Sequence, residues 1–169
     1  ADKGPEKTFI VGARATESGV EGYEVDEWGR GTNAIACVYL KSTTSKTAVV
    51  RGFTLTGGCT HFFYGQGAGA VFDVPTIRDS VFIGNTSTYD AGAIRFSVTH
   101  AVVSNCFFSG NSAQKRGGAL SRPLTVNGGM INIRSQDDGI NTNEDGVSVT
   151  AIHGGMVSIL VTGETGEGD

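Results

Sequence analysis

The residues best equipped for chemistry lie in SQDDGINTNEDG, which gathers Asp137, Asp138, Asn141, Asn143, Glu144 and Asp145. Calcium takes about six to eight oxygen ligands at about 2.3–2.6 Å, and a segment this rich in carboxylates and amides can supply them. The order differs from that of an EF-hand loop, which closes on a bidentate glutamate. A solvated turn, its Asp and Asn side chains bonded to their own backbone, accounts for the same residues. Calcium, at Asp137, Asp138, Asn141, Asn143 and Asp145, is the one cofactor the sequence offers. The adjacent Asp137 and Asp138 also raise glycosidase chemistry, which needs two carboxylates about 5–9 Å apart. Neighbours on a strand point to opposite faces, so the dipeptide alone does not build that pair. His61, His100 and His153 stand in unrelated contexts, and no carboxylate is set beside any of them to make a base. No residue is assigned to catalysis.

Rings offer binding rather than chemistry. Phe62, Phe63 and Tyr64 in HFFYG form one candidate ligand-binding group, and Tyr23 and Trp28 in EGYEVDEWGRG a second. Aromatic rings carried by loops on a rigid scaffold stack on sugars and peptides. The alternative is that both groups fold back and bury their rings against the protein. Cys37 and Cys59 lie about one repeat apart and form a candidate disulfide. Buried thiols acting as small hydrophobes are the competing reading for these two and for Cys106.

The elements that would position such groups repeat. VFIGNTSTYDAGAI (81–94) and FFSGNSAQKRGGAL (107–120) share Phe82 with Phe108, Asn85 with Asn111 and Gly92 with Gly118 at one offset of about 26 residues. VNGGMINI and IHGGMVSI repeat at that offset again, and RGFTLTGG and GAGAVF are weaker copies upstream. Within each unit the apolar pattern alternates with period two, as in FTLT, MINI and MVSILV, between turn signals such as GG, GN and DDG. A unit of this size cannot bury its own apolar face, but stacking the next unit on it can. The sequence therefore predicts an all-β, single-domain, right-handed parallel β-helix of about six or seven coils. Phe82 and Phe108 would stack as core, Asn85 and Asn111 would form an amide ladder, and Gly118 would serve a crowded corner.

Composition fits this and excludes other classes. Of 169 residues 26 are Gly and only 3 Pro, which suits short strands punctuated by turns. A net charge of −4 gives no reason to expect nucleic acid, whose phosphates require clustered Lys and Arg. No apolar run approaches the roughly 18–20 residues of a membrane-spanning helix.

FxxN followed by GGA and an aliphatic residue resembles the repeats of bacterial polymorphic outer-membrane proteins. Here it reads Phe82-Ile-Gly-Asn85 with Ala91-Gly92-Ala93-Ile94, then Phe108-Ser-Gly-Asn111 with Gly117-Gly118-Ala119-Leu120. From Val126 onward, NGGMINI and DDGI are similar to the Gly/Asp-rich carbohydrate-binding segments of secreted bacterial proteins. The chain divides into an N-terminal cap at 1–33, FxxN/GGA coils at 34–125 and NGG/DDG coils at 126–169 that continue one solenoid. What the resemblances imply is a non-catalytic protein, secreted or at the cell surface, for adhesion, glycan binding or structural assembly. A polysaccharide-degrading β-helix enzyme is the alternative. The expected partner is a glycan or cell-surface ligand, with head-to-tail self-association of the solenoid as a further expectation and no nucleic acid or membrane span.

Overall fold

The computed structural model describes residues 1–17, 25, 33–39, 47–60, 69–72, 74–87, 91–96, 101–113, 120–121, 124–135, 140–141 and 150–161. Among these there is no helix. The strands, in chain order, are β1 (Phe9–Val11), β2 (Val38–Tyr39), β3 (Val49–Arg51), β4 (Thr54–Thr56), β5 (Val71–Phe72), β6 (Thr76–Arg78), β7 (Val81–Ile83) and β8 (Thr86–Ser87). They continue as β9 (Ile94–Arg95), β10 (Ala101–Ser109), β11 (Ser112–Ala113), β12 (Leu120–Ser121), β13 (Leu124–Ser135), β14 (Ile140–Asn141), β15 (Thr150–Ile152) and β16 (Met156–Val161).

The protein is all-β, and every strand pair is parallel. A nine-stranded sheet runs β1-β4-β7-β10-β13-β15, with β16 also on β13 and with β3 and β6 leading into β10. A five-stranded sheet runs β14-β12-β9-β5-β2, and β8 and β11 make a small third ladder. The chain thus visits the same sheets in the same order, each visit one layer further on. One antiparallel bridge, Ala13 to Ile35, stands outside this pattern, in the long connection between β1 and β2.

Register converts the sequence period into three inner columns. The first is Ile10, Leu55, Phe82, Phe108, Ile131 and Val157. The second is Val50, Ile77, Val103, Val126 and Ile152. The third, from the five-stranded sheet, is Val38, Val71, Ile94, Leu120 and Ile140. Their central members make up most of one buried apolar cluster, joined by Ala70, Val74, Phe96 and Cys106. Burying one such side chain contributes about 1.5–3 kcal/mol, and here each also packs on its own counterpart above and below.

The bend between the two arms of the large sheet is a fourth column. Gly52, Asp79, Asn105, Gly128 and Gly154 all have positive φ, between 48° and 99°. Each follows register-paired residues, from Arg51 and Arg78 through Ser104 and Asn127 to the position of His153. Glycine, aspartate and asparagine are the residues that tolerate this left-handed conformation, so the corner is written in residue type although no single type fills it in every layer.

Candidate functional site

The repeated motif comes together as a buried hydrogen-bond ladder. Gly84 and Gly110, at φ 62° and 61°, turn the chain so that Asn85 and Asn111 point inward. Asn85 Nδ2 donates to Asn111 Oδ1 at 2.8 Å and to Leu55 O at 3.0 Å. Asn111 Nδ2 donates to Phe82 O at 3.0 Å, and Asn111 Oδ1 also accepts from Asn85 N at 3.1 Å. Gly58 N donates to Asn85 Oδ1 at 2.9 Å, which starts the ladder one layer earlier. A side chain at Gly58 would overlap the Gly69 carbonyl, so the ladder begins from a backbone amide there. Beside it the rings of Phe82 and Phe108 stack with centroids 4.8 Å apart and planes within 8°, at the spacing of paired strands. These groups join layer to layer.

The Asp79 corner is polar and open. Asp79 Oδ2 accepts from Arg51 Nε at 2.9 Å and Oδ1 from Asn105 Nδ2 at 3.0 Å. The hydrogen bond from Asn105, with help from Arg51, holds the Asp79 carboxyl below its ordinary value. Just inside the corner, Cys106 is buried, and desolvation pushes its thiol up to about 12. Such a thiol is not a nucleophile at neutral pH.

The ligand-binding candidates Phe62, Phe63, Tyr64, Tyr23 and Trp28 lie outside the described residues, as do Asp137, Asp138, Asn143, Glu144, Asp145, Gly118, His61 and His100. Asn141 lies in β14, in register with Ser121. His153 is exposed, and its backbone N–H donates to Val126 O at 2.8 Å. Cys37 and Cys59, offered above as a disulfide, are free thiols in the structure. The Cys37 thiol donates to Thr56 O at 3.5 Å and approaches Asn85 Oδ1 at 3.7 Å, while the buried Cys59 thiol donates to Thr60 O. Among the described residues, no three of His, Cys, Asp and Glu gather closely enough to hold a metal.

One surface escaped the sequence reading. On the large sheet, Phe9, Thr54, Val81, Phe107, Met130 and Met156 follow one another in register, flanked by Val11, Thr56, Ile83 and Ser109. Neither row contains a charged residue, and Phe9, Val11, Ile83, Met130 and Met156 are exposed. Its signal was available: these are the alternate positions of FIV, TLT, VFI and MVS, which the search for inward residues passes over.

The model of the Chlamydia polymorphic membrane protein (Chlamydia_PMP) repeat matches residues 105–121. That span runs from the corner residue Asn105 through Phe108, Gly110 and Asn111 to Leu120, the inner residue of β12. No curated protein and no solved structure matches the chain. Among the described residues no helix is long and apolar enough to cross a membrane.

Proposed function

We propose that this chain is a non-catalytic parallel β-helix that works at the bacterial cell surface, in adhesion, glycan binding or structural assembly. The observation that carries the reading is where the repeat match falls. Asn105, Phe108, Gly110 and Asn111, within residues 105–121, are the groups that turn, stack and join one layer to the next. A protein matching a surface-protein repeat at its layer-forming residues is read as sharing that repeat's architecture and setting. The regular strand order supports one continuous solenoid, with 1–33 as its cap and 34–125 and 126–169 as its coils. Contact with a ligand is assigned to the rings of Phe62, Phe63 and Tyr64, and of Tyr23 and Trp28, and Asp137, Asp138, Asn141, Asn143 and Asp145 are the residues that would hold calcium if it binds, a solvated turn being the alternative.

A glycan array, run beside incubation with polyuronides and neutral glycans, tests this. Retention of a glycan class without new reducing ends or unsaturated products is the expected result, with retention weakened in Phe63→Ala/Tyr64→Ala. Cleavage of any polymer would replace the reading by the polysaccharide-degrading one.

A further inference from the structure

One arm of the large sheet, made of β3, β6 and the first halves of β10 and β13, has two outward columns flanking the inner column Val50, Ile77, Val103 and Val126. The first is Val49, Thr76, Val102 and Thr125. The second, beside the corner, is Arg51, Arg78, Ser104 and Asn127. None of these eight residues is buried and none is acidic. Parallel register sets Arg51 directly beside Arg78, one strand spacing of about 4.8 Å away. Like charges set directly opposite across a ladder destabilise it. A single carboxylate answers the two guanidiniums: Asp79 Oδ2 accepts from Arg51 Nε. Arg78 has no ion-pair partner among the described residues and acts on Asp79 through its charge. The pair therefore holds one positive charge in excess, on a chain whose net charge is −4. Repulsion built into the register, against the sign of the whole chain, marks a place that receives an anion.

We propose that this face binds an acidic polysaccharide lying along the stack, with a uronate carboxylate held by Arg51 and Arg78. The planar guanidinium fork matches a planar carboxylate, the group that Arg51 already meets in Asp79. An anion there offsets the repulsion between the two layers. Ser104 and Asn127 continue the column with a hydroxyl and an amide, which both donate to and accept from sugar hydroxyls. Val49, Val102 and the methyl groups of Thr76 and Thr125 line the parallel column, a floor for the apolar faces of sugar rings. The four layers span about 14 Å, three strand spacings, which suits a run of sugars better than a single one. The proposal rests on the glycan-binding reading above and names the class of glycan.

Affinity electrophoresis through gels loaded with polygalacturonate, dextran sulfate or neutral dextran tests it. The expected result is retardation by polygalacturonate, less by dextran sulfate and none by dextran, all weakening as salt is raised. Arg78→Gln should lower the affinity for polygalacturonate about tenfold, the loss of one charge-assisted contact. Its thermal melt should be unchanged or raised, because the repulsion with Arg51 goes too. Arg78→Lys, which keeps the charge and loses the fork, should bind between the two. Lys7→Gln removes the same charge from an exposed residue ahead of β1 and should bind as the wild type does. No retardation by polygalacturonate, equal or stronger retardation by dextran sulfate, full affinity in Arg78→Gln, or an equal loss in Lys7→Gln would overturn the proposal. Neutral glycans retained on the array beside any of these results would remove this site and leave the surface reading standing.

Discussion

Asn111 shows what a single side chain does here. Its amide satisfies the Asn85 backbone N–H, one Nδ2 hydrogen of Asn85 and the Phe82 carbonyl, all in the interior. Asn111→Ala strands these groups, and each buried unsatisfied polar group costs about 1–3 kcal/mol. With some relaxation, denaturant melts should report a loss of about 2–4 kcal/mol. A loss within error of zero would mean that water replaces the amide at no cost. At the corner, Asp79 has its pKa depressed first by Asn105 and then by Arg51. A depressed carboxylate contributes stability above its unfolded value of about 3.9, and that contribution is lost as pH falls through the folded value. Asn105→Gly keeps a residue suited to positive φ and removes the donor. Carboxyl resonances should then show the Asp79 pKa rising toward its ordinary value, with a shallower loss of stability in acid. An unmoved titration would assign the depression to Arg51 and Arg78 instead.

Among the elements, β7 and β10 were the most legible from sequence. The offset between VFIG and FFSG is the register in which Phe82 meets Phe108, because a parallel stack returns each residue type to its own column. Phe108→Ala should therefore cost about 3–5 kcal/mol, the range for emptying a packed aromatic site. A much smaller cost would show that Phe82 and Ile131 close over the gap. The GGA corner was less legible. Positive φ falls on Ala91, at 51°, whereas Gly69 is needed for a different reason: a side chain there would strike Gly92 O and Thr86 O. Sequence spacing aligns these small residues but does not say which one turns and which one makes room. Ala91→Gly should raise stability by about 1 kcal/mol, since a left-handed alanine carries a strain of about 1–2 kcal/mol that glycine avoids. Unchanged or lowered stability would locate the strain elsewhere. The corner of Gly52, Asp79, Asn105, Gly128 and Gly154 was hidden because three residue types serve one conformation. The apolar outward rows were hidden because alternation marks two faces and does not say which face meets water.

At the scale of the whole molecule, stability is distributed along a stack. Each layer bonds only to its neighbours, so the energy needed to open a layer depends on how many neighbours cover it. Layers β7 and β10 are covered on both sides, and their inner residues Phe82 and Phe108 are fully buried. Among the described residues, β16 pairs with β13 alone, and its inner residues Val157 and Ile159 are partly exposed. Opening it breaks one ladder and uncovers little additional apolar surface, whereas opening β10 breaks two and exposes a stacked ring. Hydrogen exchange on dilute protein should therefore find hydrogen-bonded amides of β16 exchanging well before those of β7 and β10, with β13 between them. Equal protection across β7, β10 and β16 in dilute protein would show that the stack opens as one unit and that layer-by-layer opening is wrong.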